Sequence, residues 1–152
     1  MITLIIPGKP IAKKRPRFVT RDRRGLPLPN VKTINIQETE EGKFLFHVYK
    51  QWKKPPIENP IVLILKFLME IPHSQSKKKI NQMISGEIKH TKKPDLDNLI
   101  KFTKDCLNGV VWKDDAQVFS LVAEKKYSDR PHTIISIFVR EESNVQNISR
   151  DK

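Results

Sequence analysis

The chain has 152 residues, enough for one domain with a modest core, and carries a net charge of +12 with a pI near 9.9. That balance calls for a polyanionic partner, nucleic acid before acidic membrane, and no apolar run is long enough to span a bilayer. The single cysteine, Cys106, excludes an intramolecular disulfide, and no Cys/His cluster has the spacing of a zinc site.

The opening MITLIIPGKP lacks the basic stretch and the length of a signal peptide, so a cytoplasmic protein is expected. Residues 2–6 alternate weakly and predict a first strand, ended by Pro7, Gly8 and Pro10. Between Lys9 and Arg24 lie eight basic residues and one acid, and Pro16 argues against a helix. A loop is predicted here, continuing through Leu26-Pro27-Leu28-Pro29. Arg21, Arg23 and Arg24 fit a solvated charge run. Arg15 and Arg17, flanking Pro16 beside Phe18, are suited to bidentate phosphate contact, with Lys13 and Lys14 next to them.

Residues 37–53 predict a helix whose acids lie at the start and bases at the end, as the helix dipole favours. Leu45, Val48 and Trp52 form its core-facing stripe, Pro55-Pro56 stop it, and Pro60 opens an apolar strand over 61–70. Residues 72–94 form a basic excursion with a short helix from Ser76 to Ile84, closed at Gly86. His73 and His90, at its two ends, have no ligand spacing and are expected on the polar surface near DNA. Lys89, Lys92 and Lys93 then lead into Asp95.

Residues 91–118, TKKPDLDNLIKFTKDCLNGVVWKDDAQV, concentrate acid inside this basic chain. Pro94 disfavours helix at Lys93, so the chain arrives extended, and Asp95 and Asp97 share a face where it is extended. A helix follows, with Leu96, Leu99, Ile100, Thr103, Cys106 and Leu107 as its apolar stripe and Asn108-Gly109 as its stop. Asp97 and Lys101 are neighbours one turn apart on its other side. Cys106 lies on the stripe and reads as a core residue. Val110–Trp112 predict a short buried strand that returns Asp114 or Asp115 toward the first acidic pair. Asp95 could equally be a helix cap, and Lys-Asp-Asp a solvated turn. Yet two carboxylates at one helix start repel unless a cation or Lys101 compensates. Two strands, 117–127 and 132–140, with the turn Ser128–Pro131, predict an antiparallel hairpin. The expected architecture is α+β: a small mixed sheet with helices packed on it, one domain over 1–140, and a polar disordered tail over 141–152.

PDLDNLIK followed by DCLNGVVWKDDAQV, with the opening PGKPIAKKRPRF, resembles the RusA family of Holliday junction resolvases, in particular its phage-type and Gram-positive members. The resemblance covers most of residues 4–140. It implies metal-binding aspartates at Asp95, Asp97 and Asp115, with Asp114 the alternative to Asp115, and a catalytic lysine at Lys101. It implies DNA contacts from the 13–17 segment, where the family places phosphate-contacting residues; Lys92 and Lys93 join these by position. The implied substrate is a four-way DNA junction, cut by paired symmetric nicks in recombination and repair. The implied assembly is a homodimer, in a bacterial cell, whether the gene is phage-borne or chromosomal.

Hard carboxylates select Mg²⁺ or Mn²⁺ rather than zinc. Such an ion polarises a phosphoryl oxygen and orients a water, while Lys101 offsets the charge that grows on the phosphate. No Ser/His or Cys/His arrangement supports covalent catalysis. Two other classes stay open: a basic DNA-binding module without catalysis, and a metal-dependent nuclease of wider range acting on flaps or forks.

Overall fold

Residues 1–141 are described by the structure, a computed structural model; apart from Glu141, the tail expected over 141–152 lies outside them. The chain runs β1 (Ile2–Pro7), β2 (Arg17–Arg21), β3 (Pro27–Ile34), α1 (Glu38–Gln51), β4 (Ile61–Glu70), α2 (Lys77–Ile84), α3 (Leu96–Leu107), a short 3₁₀ turn (Asp115–Gln117), β5 (Val118–Ser128) and β6 (His132–Val139). This is the α+β domain expected, with helices on a mixed four-stranded sheet ordered β1-β6-β4-β5.

The sheet departs from expectation in its pairing. β5 and β6 do not form a hairpin; β4 lies between them, antiparallel to β6 and parallel to β5. β4 is apolar from Ile61 to Met69 but for Lys66, and every second residue from Ile61 to Met69 is buried, so it takes a central place. β5 carries Glu124, Lys125 and Lys126, charges that suit a sheet edge. Parallel pairing requires a crossover, and α2 and α3 supply it. At the opposite edge, the Gln51 side chain accepts from the Ile5 N–H at 2.9 Å and donates to the Ile5 carbonyl at 2.8 Å, blunting β1.

α1 and α3 cover one sheet face. Phe44, Val48 and Trp52 from α1 and Leu99, Phe102, Cys106 and Leu107 from α3 join Leu4, Leu63, Leu65, Phe67, Ile135 and Ile137 in the core. Phe44 and Phe102 meet edge to face at 5.6 Å. Burial pushes the Cys106 thiol up to about 12, and nearby Glu41 adds to this, so the cysteine is an inert core residue. The segment Val110–Trp112 is a turn, not a strand. Both Val110 and Val111 donate to the Leu107 carbonyl, and Gly109, at φ +76°, donates to the Trp112 carbonyl at 2.7 Å. Ile57 completes the clasp through single bridges.

The arginine-rich segment contains an ordered ribbon. β2 and β3 pair antiparallel with an irregularity between Val19 and Arg21, and Asp22 closes the turn by accepting from the N–H groups of Arg24 and Leu26. Hydrophobic alternation was weak there because the ribbon has no face against the core, so periodicity carried no signal.

Candidate active site

α3 is the platform. Its apolar stripe is anchored by Leu99, Phe102, Thr103, Cys106 and Leu107, which leaves the opposite side to Asp97, Lys101, Lys104 and Asp105. Asp95 occupies the N-cap position in extended conformation, φ −70° and ψ 146°, yet its side chain makes no cap hydrogen bond. Capping therefore does not account for it. Among the described residues, neither Asp95 nor Asp97 has an ion-pair or hydrogen-bond partner, and both are exposed. Lys101, one turn beyond Asp97, is exposed and likewise outside any ion pair.

The loop that delivers Asp95 is fixed from the sheet. Lys125 of β5 donates its Nζ to the carbonyls of Lys92 and Pro94, both at 2.7 Å. From the other side, the Lys13 N–H donates to the Asn98 carbonyl at 2.8 Å, pinning the basic N-terminal segment to the first turn of α3. The buried Gln37 holds the same segment, accepting from the Lys14 N–H at 2.6 Å and donating to the Ala12 carbonyl at 2.9 Å. Between the two lies a cleft of about 430 Å³ lined by Ala12, Lys13, Lys93, Pro94, Asp95 and Asn98. Basic side chains thus border an acidic one in a concave site.

The second acidic pair is occupied. Asp114 accepts from the Ala116 N–H at 2.7 Å, and Gln117 accepts from the Asp114 N–H at 2.7 Å, a reciprocal cap of the 3₁₀ turn. Asp115 turns the other way. Its Oδ1 accepts from Trp112 Nε1 at 2.8 Å, and its Oδ2 lies 3.6 Å from Lys104 Nζ. Lys104 follows Lys101 by three residues, so Asp115 sits beside α3, about a turn past Lys101. Among the described residues, no group of three or more His, Cys, Asp or Glu side chains is close enough to hold a metal. The structure brings Asp95 and Asp97 to one helix start and leaves Asp115 apart from them. The pair by itself suits magnesium, which is commonly held by one or two carboxylates plus water and substrate phosphate.

The basic residues divide in two. Lys13 pairs with Asp105 at 3.0 Å and Glu41 at 3.2 Å. Partial burial draws its pKa down, but the bonds to those two carboxylates outweigh it and leave it raised. Lys14 pairs with Glu40 at 2.9 Å; that lysine and Gln37 hold the Glu40 carboxyl below its ordinary value. Arg15, Arg17, Lys92 and Lys93 are exposed. His90, expected on the surface, is buried 4.6 Å from Tyr127, its Nδ1 without a partner. Burial lowers its pKa, and Lys125 and Lys92 lower it further. It was misread because polar flanking residues hide a ring packed by distant β5. Lys104, Lys125 and Gln37 were missed for the same reason. Trp112 stood inside the motif and could have been flagged as a donor, since a buried indole N–H needs an acceptor.

The family profile described as "Endodeoxyribonuclease RusA" matches residues 7–138, spanning every element described above except most of β1. The chain belongs to the RusA endodeoxyribonuclease family. Members are generally dependent on a divalent metal. Among curated proteins, the chain is 30% identical over 153 residues to the "Uncharacterized protein YqaN" of Bacillus subtilis (strain 168), covering 93% of this chain and 97% of that protein.

Proposed function

We propose that this RusA-family protein is a magnesium-dependent endonuclease that resolves Holliday junctions by paired symmetric nicks, acting as a homodimer. The observation that carries the reading is the pair Asp95 and Asp97: two partnerless carboxylates at one helix start in a chain of net charge +12. Two anions held side by side without a counter-charge are costly, and a divalent cation relieves that cost. When bound, Mg²⁺, or Mn²⁺ in its place, supplies Lewis-acid polarisation and water activation at the scissile phosphate. Asp95 and Asp97 hold it. Lys101 faces the developing negative charge of the phosphate. Asp115 rather than Asp114 joins the site, because Asp114 is committed to its own turn while Asp115 faces α3. Exposed Arg15, Arg17, Lys92 and Lys93 receive the flanking phosphates, whereas Lys13 and Lys14 chiefly hold the cleft wall in shape.

The test is cleavage of a synthetic mobile four-way junction with mapped cut sites. Nicks at symmetric positions on opposing strands, requiring magnesium and ending in ligatable termini, are the expected result. A non-catalytic DNA-binding module is the second reading, favoured by the absence of a three-carboxylate group among the described residues. Junction binding without magnesium-dependent nicking would establish it. Equal cleavage of flaps, forks and junctions would mark a broader structure-selective nuclease.

A further inference from the structure

The four-stranded sheet has two faces and α1 and α3 cover one. The residues that alternate with the core positions point to the other side. Register aligns six apolar side chains there across all four strands: Ile5, Ile134, Val62, Phe138, Ile64 and Val122. Ile5 is 48% and Val122 56% exposed, and the other four are half-buried. Among the described residues, no helix side chain from the core cluster reaches this face. A sheet face left to water normally presents polar residues at these positions.

We propose that this bare face is where a second copy of the chain docks, sheet against sheet about a two-fold axis; the proposal deepens the homodimer of the function proposed above. Charge selects the occupant. DNA would be drawn to basic surface, and this patch is neutral: Lys66 and Lys126 are matched by Glu70 and Glu124. Glu124 lies 4.0 Å from Lys66 and 3.0 Å from Lys126, while Glu70 pairs with Lys9. Two copies that each carry +12 meet with least repulsion where the surface is neutral and apolar. Four strands spaced ~4.8 Å apart and about seven residues long give a patch of roughly 470 Å² in projection. A pair therefore buries on the order of 1,000 Å², at the lower limit of a specific interface. An isologous contact uses the same patch twice and closes, so growth stops at two. Growth along the β1 edge is already blocked by Gln51.

Sedimentation velocity of the full chain, without DNA or metal, tests this. Wild type sediments as a dimer at tens of micromolar. Ile5→Glu with Val122→Glu raises the dimer dissociation constant by about 100-fold or more, since each buried carboxylate enters the interface twice. Both positions are exposed in the single chain, so an unchanged far-ultraviolet spectrum is expected; should the double variant unfold, the two single variants at opposite edges provide the reading. Phe46→Glu, on the solvent side of α1, leaves the dimer intact. A monomeric wild type, an unchanged dimer in folded face variants, or dissociation by Phe46→Glu overturns the proposal. So does an intact dimer whose junction binding alone is lost, because the face would then belong to DNA. Failure of the nuclease reading shows separately, as a dimer that never nicks.

Discussion

The two acidic pairs of this protein look alike in sequence and differ in every physical respect. Asp114 and Asp115 are spent: one caps a 3₁₀ turn, and the other takes an indole N–H and a lysine. Asp95 and Asp97 stand where a cap would form and make no bond to the protein. A carboxylate whose lone pairs are satisfied contributes to the fold, whereas one held in place and unsatisfied keeps its charge for something that is not the protein. The rigid helix under Asp97 and the lysine clamp behind Asp95 matter here, because uncompensated charge is useful only if its geometry is kept.

The sharpest way to break this comparison is to remove one charge from each pair. Asp97→Asn lowers magnesium-dependent nicking by roughly 10²–10³-fold or more, while junction affinity holds or rises because an anion has left a phosphate-facing surface. Asp105→Asn on the same helix retains activity and loses only part of the Lys13 pairing, a change of under about 1 kcal/mol for a surface pair. A wild-type nicking rate in folded Asp97→Asn would show that the unpaired acids hold no metal.

Lys125→Met tests whether the loop before Asp95 must be held. Loss of both carbonyl contacts should slow nicking about 10- to 100-fold, the scale on which small misplacements act. It should also raise the magnesium concentration needed for half-maximal rate. An unchanged magnesium requirement would reduce Lys125 to a fold-stabilising residue.

In the occupied pair, Trp112→Phe keeps the ring and removes the N–H to Asp115. A loss of about 1.5–3 kcal/mol in urea unfolding is expected for a hydrogen bond to a charged acceptor, together with a several-fold loss of rate. Asp114→Ala should cost about 1 kcal/mol as a lost cap and leave the rate unchanged. If Asp114→Ala abolishes nicking while Trp112→Phe does not, the roles of the two neighbours are reversed.

The smallest effect is in the pH dependence. His90 binds a proton less readily when folded than when unfolded, so the unfolded chain carries more protons across the window between the two pKa values. Stability is therefore full above about 6.5, the ordinary imidazole value, and declines as pH falls through the lower folded value. His90→Phe should flatten that part of the curve in thermal melts at several pH values; a curve unchanged in slope would place the sensitivity elsewhere.

Local pattern was enough for much of this. β1, α1, β4, α2 and α3 were legible because each carries its own period, cap or breaker: Ser76 accepts from the Lys79 N–H, and Gly86 and Gly109 close α2 and the α3 turn with positive φ. The acidic motif, Lys101 and the basic flank were legible because type and spacing alone identify them. The β2–β3 ribbon was read as loop because a strand pair without a buried face leaves no alternation.

The sequence by itself therefore determined the family, the list of candidate acids and the helix that bears the first pair, all of which depend on neighbours along the chain. Tertiary structure alone decided that β4 separates β5 from β6, that Lys125 reaches the carbonyls before Asp95, and that His90 is buried by Tyr127. It also decided which member of the Asp114–Asp115 pair faces α3. The reason is that strand pairing and side-chain partners join residues dozens of positions apart. Their energies belong to the packed core, and no local period records them.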